Sequence, residues 1–324
     1  MRKRSRRRRG GSGFEPMLPG DPVDEDDYFK LFGTPEEQFF THHFSNRAPT
    51  LYHYTRQEGF IPMLSERVLR ATNVRHFSDY SEIEYAYQLL GDLVSGLESS
   101  RPYGLERGFL DLLRSRVTSD AFSDSYVLCF STKFDDLNQW RSYASPGLGY
   151  CIGFSSADLE ALAERYEGRV ARCIYSRKDQ ETIVSELLAQ SLKNLESYFP
   201  HYGPGDINEG LAQSRVRAFG EHFSRIAPLF KNPAFADESE VRLVFDGQRS
   251  GLPIRFRSGS TSIVPFIELS LAVAENSSVT PASVMIKACS NPAFVAQATR
   301  RFLQYNGYDR ELVNASIIPY REGI

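Results

Sequence analysis

Residues Glu238-Ser239-Glu240-Val241-Arg242-Leu243-Val244-Phe245 constrain this chain more than any other stretch. Side chains alternate across a strand, so residues two apart share a face. Val241, Leu243 and Phe245 then form an apolar back, and Glu238, Glu240 and Arg242 a polar front. A strand of this kind belongs to a sheet with one packed face. The polar row Glu-x-Glu-x-Arg suits the wall of a cleft. It suits equally a solvated sheet face that carries a structural Glu–Arg pair.

The surrounding pattern sets the fold class. Apolar runs predict strands at 51–55, 68–71, 126–131, 150–154, 169–175, 252–257, 262–269, 283–288 and 312–318. Apolar spacing of three to four predicts helices at 82–97, through Ile83, Tyr87, Leu90 and Val94, and at 105–117, through Leu105, Phe109, Leu112 and Leu113. Shorter helices are expected at 58–66, around Trp140 and Tyr143, from a Ser155 or Ser156 cap to Arg165, and at 292–305. Two long helices near 178–198 and 207–227, split by the breaker stretch Pro200–Gly205, read as a helical insertion at 178–228. The strands come in groups rather than in strict alternation with helices, which predicts α+β with a split mixed β-sheet.

Three regions follow: a disordered basic tail over 1–20, an acidic and aromatic extension over 21–48, and one α+β domain over 49–324. The tail Arg2-Lys3-Arg4-Ser5-Arg6-Arg7-Arg8-Arg9 holds seven of the 38 basic residues. Without it 31 basic residues face 41 acidic ones, a formal charge of −10, which argues against a broad nucleic-acid face on the body. The tail itself offers contact with nucleic acid or an anionic surface, with a merely solvated tail as the alternative. His42 and His43 are adjacent, diverge in direction and predict no shared metal.

Cys129, Cys151, Cys173 and Cys289 show no C-x-x-C or other ligand spacing, which predicts buried free thiols in a reducing, cytoplasmic setting. No apolar run approaches the roughly 20 residues of a membrane span. The chain has no P-loop, no H-E-x-x-H and no G-x-S-x-G. Gly147-Leu148-Gly149 precedes a strand and reads as a tight turn.

Several pieces in order carry more information than any one. They are Leu51-Tyr52-His53-Tyr54-Thr55, Cys129-Phe130-Ser131 with Trp140-Arg141-Ser142-Tyr143-Ala144, Gly149 to Phe154, Glu238 to Arg242, and Ser316-Ile317-Ile318-Pro319-Tyr320-Arg321. This order resembles a widespread bacterial family of uncharacterised proteins with L-Y-H-Y-T, C-F-S, W-x-x-Y-A, G-x-x-x-G-F, E-x-E-x-R and S-x-I-P-Y-R elements. The likeness spans about residues 50–322. Phe77-Ser78-Asp79-Tyr80-Ser81-Glu82 resembles that family's N-D-P-x-E loop, with Ser78 replacing the asparagine.

The pattern is also similar to ADP-ribosyltransferases, including DNA-targeting toxins of that fold. That resemblance implies a first-strand His or Arg, a middle-strand Ser or Tyr and a later-strand Glu, places that His53, Ser131 and Glu240 would fill. It implies NAD as substrate, a macromolecular acceptor, and a toxin or anti-phage defence role. Cleaving the nicotinamide–ribose bond builds positive charge on the ribose, as in glycoside cleavage. In this reading Glu240 stabilises that charge, Glu238 positions or deprotonates an acceptor, and His53 hydrogen-bonds ribose or amide. Tyr54, Trp140 and Tyr143 offer stacking faces, Thr55 and Ser131 polar contacts, and Arg242 a partner for the diphosphate or for Glu240.

Each assignment has a plainer counterpart: a core histidine, a core tryptophan, a strand-ending serine, a structural ion pair. Two further readings stay open. One is a non-catalytic ligand-sensing or nucleic-acid- or protein-binding module. The other is a nuclease with Mg²⁺ held by Asp79, Glu82, Glu238 and Glu240.

Overall fold

The computed structural model describes residues 48–77, 81–101, 104–116, 124–198, 209–247, 249–259, 262–274 and 277–318. The basic tail 2–9, the stretch 21–47 with His42 and His43, and Ser78, Asp79 and Pro319–Arg321 lie outside the described residues.

The chain forms a mixed α/β structure around a mixed sheet of ten strands. Strand β1 (Thr50–Arg56) and β4 (Gly149–Ser155) pair antiparallel along their full length, from Thr50 opposite Ser155 to Arg56 opposite Gly149. Beyond β4 come β11 (Pro281–Ile286) and then β12 (Val313–Ala315), which runs parallel to β11.

The sheet forks at β3 (Ser125–Ser131). One edge of β3 meets β1 only at the pair Tyr52 and Ser131. It meets β2 (Val68–Asn73) at Thr72 opposite Val127 and Asn73 opposite Tyr126. From β2 the sheet continues to β8 (Ile263–Ser270) and the edge strand β7 (Arg255–Ser258). The other edge of β3 pairs over its whole length with β6 (Glu240–Asp246), which pairs in turn with β5 (Arg169–Arg172). A small separate ladder joins β9 (Ala272–Ala274) and β10 (Ser277–Ser278).

Helices cover both faces, so the strands need apolar residues on both sides. Helices α1 (Gln57–Ser65), α5 (Ser156–Arg165) and α8 (Pro292–Tyr305) close one core with Leu51, Ile152, Val241, Leu243, Phe245 and Ile267. On the opposite side α2 (Ser81–Ser100), α3 (Leu105–Ser115), α6 (Arg177–Tyr198) and α7 (Glu209–Ile226) pack over Val127, Ala171 and Val244. Helix α4 (Leu137–Tyr143) starts at an Asp136 cap, whose carboxylate accepts from the Asn138 and Gln139 amides. None of the described helices is long and apolar enough to cross a membrane.

One feature of the central row differs from the sequence expectation, and a second removes one of the two alternatives that the sequence left open. Pro233–Glu238 forms a short 3₁₀ helix, capped by the Asn232 side chain, and Ser239 adopts left-handed φ 47°. The strand therefore begins at Glu240, and Glu238 sits on the turn before it. Nor is the polar face solvated. All of β6 is buried, because the helical layer that packs on Val244 also roofs Glu240 and Arg242.

Candidate functional site

The site grows from that buried row. Burying a charge is tolerable only when it is paired and hydrogen-bonded. Arg242, 1% exposed, meets the condition through four contacts. Its Nε donates to Glu240 Oε1 at 2.8 Å, Nη2 to Glu240 Oε2 at 2.9 Å and to Glu82 Oε2 at 2.6 Å, and Nη1 to the Pro228 carbonyl at 2.5 Å. Phe77 lies against the guanidinium, 5.5 Å from ring centroid to Cζ.

A second cation completes the cluster. Lys231 lies five residues beyond α7, in a segment held by the backbone. Ile174 donates to the Leu229 carbonyl at 2.7 Å, and the Lys231 amide donates back to the Ile174 carbonyl at 3.1 Å. The Gln180 side chain bonds the carbonyls of both Ile174 and Lys231. This ties the exit of the helical layer to the end of β5. The Lys231 ammonium, also 1% exposed, then donates to Glu240 at 2.7 Å and to Glu238, and lies 3.3 Å from Glu82. Phe235 packs over it.

Burial alone would raise the Glu240 carboxyl, but Arg242 and Lys231 overcome it and hold the group at about 2. Burial alone would lower Lys231, yet Glu240 and Glu82 carry it above its ordinary value. Glu240 is thus a fixed anion rather than a proton acceptor. Its amide donates to the Tyr175 hydroxyl at 2.9 Å.

Glu238 is placed by its backbone. Ser131 Oγ and Gln139 Nε2 both donate to its carbonyl, at 2.7 and 3.1 Å. Its carboxylate then takes Lys231 on one oxygen and the Tyr143 hydroxyl, at 3.1 Å, on the other.

A cleft opens in front of these groups, where β1 and β3 diverge after their single shared pair. Tyr52, His53 and Tyr54 line it from β1, Cys129 and Phe130 from β3, and Gln139 and Tyr143 from α4. Glu238 and Glu240 close it. Its enclosed volume is about 60 Å³, well below the roughly 300–1,000 Å³ of typical small-molecule sites, so it takes at most one end of a ligand.

His53 Nδ1 lies 2.8 Å from the Cys129 carbonyl. A carbonyl only accepts, so Nδ1 carries the proton and Nε2 keeps a lone pair. Burial lowers the imidazole below its ordinary 6.5, against a smaller opposing effect of that hydrogen bond, so the ring is neutral at pH 7. Burial likewise pushes the Cys129 thiol well up, reinforced by Glu240, which makes it a poor nucleophile.

The residues singled out from sequence therefore divide. His53, Tyr54, Tyr143, Glu238 and Glu240 share the cleft. Ser131 sits behind it as a support for the Glu238 turn, and Arg242 is sealed beneath Glu240. Trp140 packs edge-on against Tyr54, with centroids 4.9 Å apart, in an apolar cluster with Ala144, Cys151 and Met285. Its indole donates to Asp135 at 2.8 Å, so it backs the wall without forming it. Thr55 lies outside the cleft and donates to the Arg56 carbonyl. Glu82, Glu238 and Glu240 do converge, but on the Lys231 ammonium. Among the described residues no group of three or more His, Cys, Asp or Glu is arranged to hold a metal.

Sequence reading missed Lys231, the hub of the cluster. Its only local signal is a lysine closing the apolar run Ile226–Phe230, with no carboxylate before Asp237.

Residues 139–243 match a family described as a protein of unknown function (DUF2971). The matched span holds Tyr143, Lys231, Glu238, Glu240 and Arg242, and leaves His53 and Ser131 outside. It fits an uncharacterised family. No curated protein and no solved structure matches the chain.

Proposed function

We propose that the cleft is the catalytic site of an NAD-using enzyme, an ADP-ribosyltransferase or NAD glycohydrolase. The observation that carries this reading is the meeting of two carboxylates, Glu238 and Glu240, and a neutral imidazole, His53, around one small cleft. The forked mixed sheet is in keeping with the ADP-ribosyltransferase-like fold that the motif order suggests. A toxin or defence setting follows from the same resemblance.

In the reaction the bond from ribose C1′ to the nicotinamide nitrogen breaks. Its electron pair stays with the nitrogen and neutralises the pyridinium. Positive charge passes to the ribose, where the fixed Glu240 carboxylate stabilises it without reorganising. A hydroxyl or amine of the acceptor, or water, forms the new bond to C1′. Its proton leaves to Glu238, the most exposed of the three clustered carboxylates at 16%. His53 Nε2 accepts from a ribose hydroxyl or the nicotinamide amide. Arg242 is spent on Glu240 and Glu82, so the diphosphate lies outside the cleft rather than on that guanidinium.

Incubating the pure protein with NAD, alone and with cell extract, should release nicotinamide or label a macromolecule. Glu240→Gln and Glu238→Gln should each lower the rate by at least a hundredfold while the circular dichroism is unchanged. Absence of both NAD binding and turnover in the folded protein would sink the reading.

A further inference from the structure

The sheet is open at its β7 end, which β2 and β8 separate from the cleft strands β1 and β3. β7 pairs with β8 from Arg255 opposite Phe266 to Ser258 opposite Ile263, and among the described residues no strand pairs with its outer edge. All four residues of β7 are exposed. Such an edge presents unpaired N–H and C=O groups that template another strand.

The two faces of this edge differ. Arg255 and Arg257 share one face with Phe266 and Val264 of β8 and, beyond them, Arg70 and Thr72 of β2. Arg70 meets Glu66 at 2.9 Å and Glu268 at 3.1 Å, and Arg255 takes the other oxygen of Glu268 at 2.9 Å. Arg257 has no carboxylate partner among the described residues, only the Thr72 hydroxyl, to which it donates at 3.4 Å. Three guanidinium groups thus face two carboxylates, and the excess positive charge sits on Arg257. Partial burial and the nearby Arg70 lower that guanidinium below its ordinary value, as happens to a cation short of a counter-ion.

The opposite face is apolar. Phe256 is 67% and Ile263 68% exposed, and Ile254 is exposed as well. Farther along β8 the same face carries Ile267 and Leu269 into the core, so apolar surface runs on from the core to the edge.

Charged residues commonly guard an edge against pairing. Here the guard is selective: it repels a strand bearing cations and admits one bearing acids. A second copy of the chain, brought edge to edge with the apolar faces together, would set Arg255 and Arg257 against the same arginines of the other copy. Like charges directly opposite are destabilising.

We propose that β7 is a docking edge for an extended acidic segment of another protein, which adds to the sheet as a strand whose acidic side chains alternate with apolar ones. Backbone hydrogen bonds to β7 hold it, its acids meet Arg255 and Arg257, and its apolar residues cover Phe256 and Ile263.

The test titrates fluorescein-labelled synthetic peptides into the full chain and follows fluorescence polarisation. One peptide alternates glutamate with valine. A second has the same composition with its glutamates in one block, and a third alternates lysine with valine. The basic tail attracts the first two alike, so their difference reports the edge. The alternating acidic peptide should bind at least tenfold more tightly than either control. At saturation it should slow amide exchange at 255–258 at least tenfold. Arg257→Glu should bring it to the affinity of the block peptide, and Arg257→Ala should weaken it at least threefold.

Equal affinity for the alternating and block peptides, or exchange at 255–258 that the peptide leaves unchanged, would overturn the proposal. So would an Arg257→Glu protein, folded by circular dichroism, that keeps the full discrimination. Two other occupants would overturn it as well: a single-stranded DNA oligonucleotide that protects 255–258 where the peptide does not, or a dimer of the chain protected there. The wild-type comparisons stand even where a variant fails to fold.

Discussion

Lys231→Met isolates the hub of the buried cluster. The substitution keeps the volume of the side chain and removes one of two cations from among three carboxylates. Glu240 loses its contact at 2.7 Å, and Glu238 loses its only cationic partner in the cluster. Removing one member of a buried pair costs roughly 3–5 kcal/mol, because the other is left charged and dehydrated. Glu240 retains Arg242 on both oxygens, so the lower end, about 3 kcal/mol, is expected. At roughly 2–4 °C per kcal/mol for a large domain, the melting temperature should fall by about 6–12 °C. Urea unfolding followed by circular dichroism should show a lower midpoint with the slope unchanged. Adding Glu240→Gln removes a carboxylate that Lys231 neutralises. The double variant should therefore be more stable than the sum of the single effects predicts, by about 1 kcal/mol or more. A Lys231→Met protein melting within about 1 °C of the parent, or strict additivity, would refute the account.

The pH dependence of stability follows from two depressed groups. His53 titrates below its ordinary 6.5 in the fold, so its contribution is complete above 6.5 and fades as pH falls through its folded value. Glu240, at about 2 against an ordinary 4.5, contributes fully above 4.5 and loses that contribution between 4.5 and about 2. The urea midpoint measured from pH 7.5 to 3 should decline in both windows, and His53→Gln should flatten the upper one. An unchanged slope in that variant would count against the buried neutral imidazole. Gly149→Ala should destabilise by about 1–3 kcal/mol, since the new Cβ would stand 2.4 Å from Ala144 Cβ and 2.6 Å from its carbonyl oxygen. Gly96→Ala, with nothing within 4 Å in the middle of α2, should raise stability by about 0.4–1 kcal/mol in the same assay.

Much of the fold is legible in the chain, because long apolar periodicities report local structure directly. The expected strand 126–131 is β3, and the paired helices expected at 178–198 and 207–227 are Arg177–Tyr198 and Glu209–Ile226. The alternation of Val241, Leu243 and Phe245 correctly assigns one side of β6 to a core. What covers the other side is not a local property. Glu240 and Arg242 are buried because the segment after α7 folds back across Ile174, a contact between residues more than 50 positions apart that no period records. Glu238 shows the second limit. The i, i+2 pattern puts it on the strand with Glu240, whereas Pro233 and the Asn232 cap start a 3₁₀ turn that ends at the left-handed Ser239. Its carboxylate still reaches the same ammonium, by way of a turn rather than a pleat.

That shared ammonium couples two parts of the molecule that look separable. Glu240 and Arg242 belong to the sheet, while Lys231, Glu82 and the Pro228 carbonyl arrive with the helical layer. Lifting the layer by a single turn would break several of these pairs at once and strand charges short of full hydration. Partly docked arrangements are therefore the least favourable states, and layer and sheet close together or not at all. The helices of 177–226 are thus not an ornament hung on a finished sheet. Shortening them would unmake the floor of the cleft, and any force or partner that pries them open would switch the site off from behind.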